Sequence, residues 1–146
     1  MNKLLLAKIL FLFATSSLFG QANKIEECAY PNEKISTRPP DNRKLIEKYD
    51  PAGEKVFTFE AMFKDTISIW VANKLIFKKY MKTDSLGDLA DRASIKVKPK
   101  TEITIRTVEQ GCTRFTLKKG YKHIYVQRDG NGQWGLTYSK YRRIYW

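Results

Sequence analysis

The chain is 146 residues long, with 27 Lys and Arg against 15 Asp and Glu and a formal net charge of +12. Its 42% hydrophobic and 13% aromatic residues exclude disorder throughout. Its length supports one hydrophobic core and excludes two independent domains.

Residues 1–22 have the form of an export signal. Lys3 gives a basic start, the run from Leu4 to Phe13 is apolar apart from Lys8, and Gly20-Gln21-Ala22 offers small residues before a cleavage point at Asn23. The apolar run is too short and interrupted to span a bilayer, and no later segment is a better candidate. The expected plan is a signal peptide (1–22), an N-terminal arm (23–53) and a β-sandwich domain (54–146), with no membrane span after signal removal. The location implied is periplasmic or extracellular.

In the arm, Pro31, Pro39, Pro40 and Pro51 break any period. One short helix is expected, capped by Asp41, facing inward with Leu45 and Ile46 and stopped by Pro51. Cys28 in the arm and Cys112 are the two cysteines of the chain. In an exported protein they are expected to form a disulfide that pins the arm to the later strand.

After Gly53 the pattern has period two. Phe57, Phe59, Ala61 and Phe63 share one face, and Ile67, Ile69 and Val71 repeat it with Thr66, Ser68 and Trp70 opposite. Ala72-Asn73-Lys74 reads as a tight hairpin because Asn tolerates positive φ, and Leu75 to Met81 form the returning strand. Thr83 to Arg92 read as a polar loop. Short strands follow around Ile95 and Val97, Ile103 and Ile105, Phe115 and Leu117, and Ile124 and Val126. Asp129-Gly130-Asn131-Gly132 is a strong turn signal leading into Trp134, Leu136 and Tyr138. About eight short strands with almost no helix predict an all-β antiparallel sandwich, with the immunoglobulin-like arrangement preferred. A transmembrane barrel is disfavoured because alternate positions back from Trp146 include Arg142 and Lys140, which a lipid-facing strand holds only at high cost.

Charge is uneven. Residues 93–146 carry twelve Lys and Arg against three acids, while residues 23–92 are nearly balanced. Such a bias favours acidic partners such as anionic glycans or other acidic polymers. With the aliphatic residues turned inward, the expected outward set is Lys96, Lys98, Arg106, Arg114, Lys118, Tyr121, His123 and Tyr125. This would be a basic surface beside an aromatic ladder that stacks on sugar rings or bases while the cations meet sulfate, carboxylate or phosphate.

No catalytic constellation is visible. His123, the single histidine, has no nucleophile or carboxylate placed by spacing and reads as a surface residue. One His and two oxidised cysteines do not make a metal site. Asp84, Asp88 and Asp91, or the Asp129 turn, lack the alternation of a calcium loop. No cofactor or metal is expected. The chain reads as a non-catalytic binding or accessory module for an anionic ligand. The alternatives are a protein-interaction module (an inhibitor or envelope-assembly component) using an edge strand or the C-terminal aromatics Tyr138, Tyr141, Tyr145 and Trp146, and, less favoured, a small hydrolase.

Overall fold

Period-two alternation, with aliphatic and aromatic residues on one side of most ribbons, underlies the nine strands described in a computed structural model for residues 27–37, 53–60, 62–83 and 89–143. They are β1 (Asn32–Ile35), β2 (Glu54–Glu60), β3 (Lys64–Val71), β4 (Lys74–Lys82), β5 (Leu89–Lys96), β6 (Glu102–Thr107), β7 (Cys112–Thr116), β8 (His123–Arg128) and β9 (Trp134–Ser139). The signal peptide, the short arm helix, Ala61, Asp84, Asp88, Tyr145 and Trp146 lie outside the described residues.

The strands form a five-stranded sheet in the order β1-β9-β8-β2-β5 and a four-stranded sheet in the order β4-β3-β6-β7. Their inner faces meet in one core. Phe57, Phe59, Ile124, Val126, Trp134, Leu136 and Tyr138 come from the first sheet, and Ile67, Ile69, Met81, Ile103, Ile105 and Phe115 from the second. The expected antiparallel character holds throughout the four-stranded sheet. The five-stranded sheet is mixed, because β2 runs parallel to β8 and β1 parallel to β9.

Local chemistry explains the turns. Ala72 and Asn73 both have positive φ, 45° and 66°, as the two-residue hairpin loop between β3 and β4 demands. The Asp129 carboxylate accepts the amides of Asn131 and Gln133 at 3.0 and 2.8 Å, closing the turn before β9. Its Oδ1 therefore serves the backbone. The strand read through Phe63 ends earlier, at Glu60. Met62 adopts a positive φ of 72°, and buried Phe63 then turns between the sheets, edge-on to Phe59 with ring centres 5.4 Å apart.

Two differences from the sequence reading concern polar strands. The loop expected over residues 83–92 gives way at Leu89 to β5, an edge strand in which only alternate positions such as Ala93 and Ile95 need to be buried. The arm also contributes β1, whose four residues are all exposed.

The arm straps one side of the sandwich. The Cys28–Cys112 disulfide fixes it to β7. Ala29 exchanges backbone hydrogen bonds with β7, donating to the Cys112 carbonyl at 3.0 Å and accepting from the Arg114 amide at 3.1 Å. The chain then crosses to the other sheet and pairs as β1 with β9. On the opposite side, Lys79 of β4 and Asp91 of β5 form an ion pair at 2.5 Å. Burial alone would raise the Asp91 pKa, but Lys79 and the Arg92 amide outweigh it and hold the carboxyl below its ordinary value. The Asp91 carboxylate is thus committed to an ion pair.

Two buried tyrosines make alkaline stability testable. Burial pushes the Tyr138 phenol up, with nearby Glu33 adding to the effect, and burial likewise raises Tyr125. In the unfolded chain a tyrosine ionises near pH ~10, whereas the folded chain keeps both protons beyond that. Their contribution is fully present below pH ~10 and is lost as pH rises toward the folded values, at up to about 1.4 kcal/mol per pH unit for each. Urea midpoints should be level from pH 8 to 9 and fall above pH ~10. Tyr138→Phe should make that fall shallower, and an unchanged slope would refute its assignment to Tyr138.

Candidate ligand-binding surfaces

The eight residues expected on one outward face are distributed over several places. Arg106 and Arg114 project from the outer face of the four-stranded sheet, and Lys96 from the outer face of the five-stranded sheet, on the far side of the sandwich. Lys98 is exposed just beyond β5. Lys118 forms an ion pair with Glu33 of β1 and lies over the Tyr138 ring, 5.1 Å from its centre, so it helps hold the arm. Tyr121 packs against the core, its ring 5.8 Å from that of Tyr138.

His123 and Tyr125 do point away from the core, on β8, yet they are only 3% and 1% exposed. The reading of His123 as a surface residue is therefore corrected. The cause is the segment after β9, which folds back over this face. The Tyr125 hydroxyl donates to the Tyr141 carbonyl at 3.0 Å and accepts from the Arg143 amide at 2.6 Å. The Arg143 guanidinium lies over the Tyr125 ring at 4.2 Å and reaches both oxygens of the buried Glu60 carboxylate at 2.7 and 2.9 Å. A cleft of about 200 Å³ remains beside this segment, lined by Val56, Thr58, Arg92, Ser94, His123, Tyr125, Arg142 and Arg143.

The outer face of the four-stranded sheet is, among the described residues, strongly basic. Because Ile67, Ile69, Ile103 and Ile105 are buried, their neighbours point out, and the register sets these in rows. One row runs Lys78, Ser68, Arg106. The next runs Leu75, Trp70, Thr104, Arg114, and Tyr80 and Lys82 follow beside Thr66 and Lys64. Five cations (Lys64, Lys78, Lys82, Arg106 and Arg114) share this face with one carboxylate, Glu102, among the described residues. Glu102 sits 3.7 Å from Arg114 Nε. The Trp70 indole donates to Ser68 Oγ at 3.1 Å, and the Arg106 guanidinium lies over its ring at 5.9 Å. Ring and guanidinium thus lie close together on this face. Lys78 and Arg106 stand two strand spacings apart, about 10 Å.

Sequence reasoning missed Lys64, Lys78, Lys82, Trp70 and Tyr80 as site residues. The signal was available in the alternation of β3 and β4, whose outward positions hold these side chains. Among the described residues, no group of three or more His, Cys, Asp or Glu is arranged to hold a metal ion, and no helix is long and apolar enough to cross a membrane. Comparison with protein families, curated proteins and solved structures gave no match to this chain.

Proposed function

We propose that this chain is an exported, non-catalytic module that binds an extended polyanion, an acidic glycan first, across the outer face of its four-stranded sheet. One observation carries the reading: among the described residues, five cations to a single carboxylate lie on adjoining strands around Trp70 and Arg106. A solvated sheet face is polar in any protein, but it normally mixes both signs of charge. A one-signed face attracts polymers of opposite charge, and Trp70 with exposed Tyr80 offers stacking surfaces for sugar rings or bases. The signal-like residues 1–22 and the disulfide support a periplasmic or extracellular setting. The immunoglobulin-like arrangement is kept as an analogy only. It shares two unequal sheets packed face to face, the parallel β2–β8 pair departs from it, and fold alone would not carry the function.

The test is binding to a sulfated polysaccharide and to single-stranded DNA over a salt series. With about four ionic contacts to a single strand, affinity should fall roughly fiftyfold between 50 and 200 mM salt. The double reversal Lys78→Glu with Arg106→Glu should abolish binding, while Lys96→Glu on the far sheet should leave it nearly intact. Absence of binding at 50 mM salt, or binding indifferent to the double reversal, would refute the proposal.

The protein-interaction reading is favoured by one feature. The nine-residue edge strand β4 exposes Leu75, Ile76 and Tyr80, at 41%, 45% and 55%, which suits addition of a partner strand. Salt separates the two, since backbone pairing responds weakly to ionic strength where polyanion binding responds steeply.

A further inference from the structure

A hollow of about 410 Å³ lies where the arm meets the four-stranded sheet, and its lining includes Tyr30, Pro31, Glu33, Glu102, Arg114 and Thr116. That size falls within the range of roughly 300–1,000 Å³ typical of small-molecule sites. The arm side of the hollow is a crossing clamped at both ends. Ala29 is tied to β7 by two backbone hydrogen bonds next to the disulfide, and β1 begins on the other sheet at Asn32. Tyr30 and Pro31 span the gap between them. Pro31 has a fixed φ, and its ring also restricts the backbone of the residue before it. Tyr30 is nevertheless 83% exposed, so an aromatic side chain is presented to solvent from a stiff strap. A backbone fixed before a ligand arrives loses little freedom on binding.

Outward positions of β6 and β7 supply the opposite wall. Glu102 faces Thr116 across the two strands, and Arg114 stands in the next row. Unlike the one-signed face that begins at Arg114, this wall is balanced in charge. Glu33 is ion-paired with Lys118, and Glu102 lies 3.7 Å from Arg114 Nε, so two carboxylates meet two cations. Such a hollow has no field to select a charged ligand. Its polar groups still have bonds to make. A carboxylate accepts about four hydrogen bonds and a guanidinium donates about five, and Arg114 Nε has no acceptor among the described residues. An exposed aromatic beside such donors and acceptors fits a ring with hydroxyls at its edge and C–H groups on its face.

We propose that this hollow is a site for one uncharged sugar ring, stacked on Tyr30 with its hydroxyls bonded to Glu33, Glu102 and Arg114. It borders the polyanion face through Arg114, but it stands or falls without that reading, because its ligand carries no charge.

The experiment is an amide NMR titration of the intact, oxidised protein with maltotriose, cellotriose and tri-N-acetylchitotriose, with glycerol as the open-chain control. It is run in about 0.5 M sodium chloride, where a Debye length of roughly 4 Å screens the basic face. The expected result is a saturable shift confined to residues 30–33, 102 and 114–116 with at least one sugar and none with glycerol. Tyr30→Ala should raise the apparent Kd roughly three- to tenfold, and Tyr30→Trp should keep it. Lys78→Glu with Arg106→Glu, which tests the polyanion face, should leave it unchanged. No saturable shift with any of the three sugars in the wild-type protein overturns the proposal, as does sugar binding of equal strength in Tyr30→Ala.

Discussion

Replacing both cysteines, Cys28→Ser with Cys112→Ser, should lower the stability of the oxidised protein by about 4–5 kcal/mol, the loop-closure contribution of a cross-link over this span. The bond joins residues separated by 84 positions, so the unfolded chain regains a large ensemble once it is removed. A small domain holds roughly 5–15 kcal/mol in total, and the urea midpoint should therefore drop by roughly 2–4 M. The contacts left at the junction are few. They are the two backbone hydrogen bonds of Ala29 with β7 and the bond from Thr113 Oγ1 to the Ala29 carbonyl at 2.9 Å. Hydrogen exchange should consequently rise first in residues 27–37. A loss under about 1 kcal/mol would mean that the arm is held by β1 and its ion pair, and that the loop-closure account fails here.

The second large effect separates two tryptophans. Trp134 is buried in the core, its ring 6.1 Å from that of Phe63, with the Arg128 guanidinium over it at 5.0 Å. Trp134→Ala should cost about 3–5 kcal/mol, through lost apolar burial and the cavity left behind. Arg128 donates to the Gly132 carbonyl at 3.0 Å and to the Gln110 side chain, and its buried Nε has no acceptor among the described residues. It cannot fill that space without breaking the turn. Trp70 is half-buried on an outer face, so Trp70→Ala should cost less, about 1–2 kcal/mol, while weakening polyanion binding. Unfolding in urea, read by circular dichroism so that the lost fluorophore does not matter, measures both. Equal costs at the two positions would contradict the assignment of Trp134 to the core and Trp70 to the surface.

What the sequence revealed was the in-or-out character of the strands with a clear apolar alternation. Ile103 and Ile105, Ile124 and Val126, and Trp134, Leu136 and Tyr138 are all in the core, as their spacing implied. The Ala72-Asn73 hairpin and the Asp129 turn form where their backbone chemistry placed them. Period two has nothing to say about which of two sheets a strand joins. Arg106 and His123 are both outward, and they face opposite sides of the molecule. Nor does outward mean exposed, since residues 141–143 cover His123 and Tyr125 through contacts that join distant parts of the chain. β1 was illegible for a related reason. Its four exposed residues carry no hydrophobic period, and its partner Gly135–Tyr138 lies about a hundred positions away.

The strap across the sandwich also bears on the order in which the protein is made. Among the described strands β1 is synthesised first and its partner β9 last, and β2 likewise waits for β8. Three of the four pairings in the larger sheet are therefore withheld until β8 and β9 are released. Sheets closed by such distant contacts fold slowly, because the long loops must be shut before any pairing rewards them. A chain stopped short of residue 134 has no β9 to receive its first strand and lacks Trp134, Leu136 and Tyr138, so the apolar face of the smaller sheet is only partly covered. Closure thus waits on β8 and β9, and until then the emerging chain depends on whatever shields that face from aggregation.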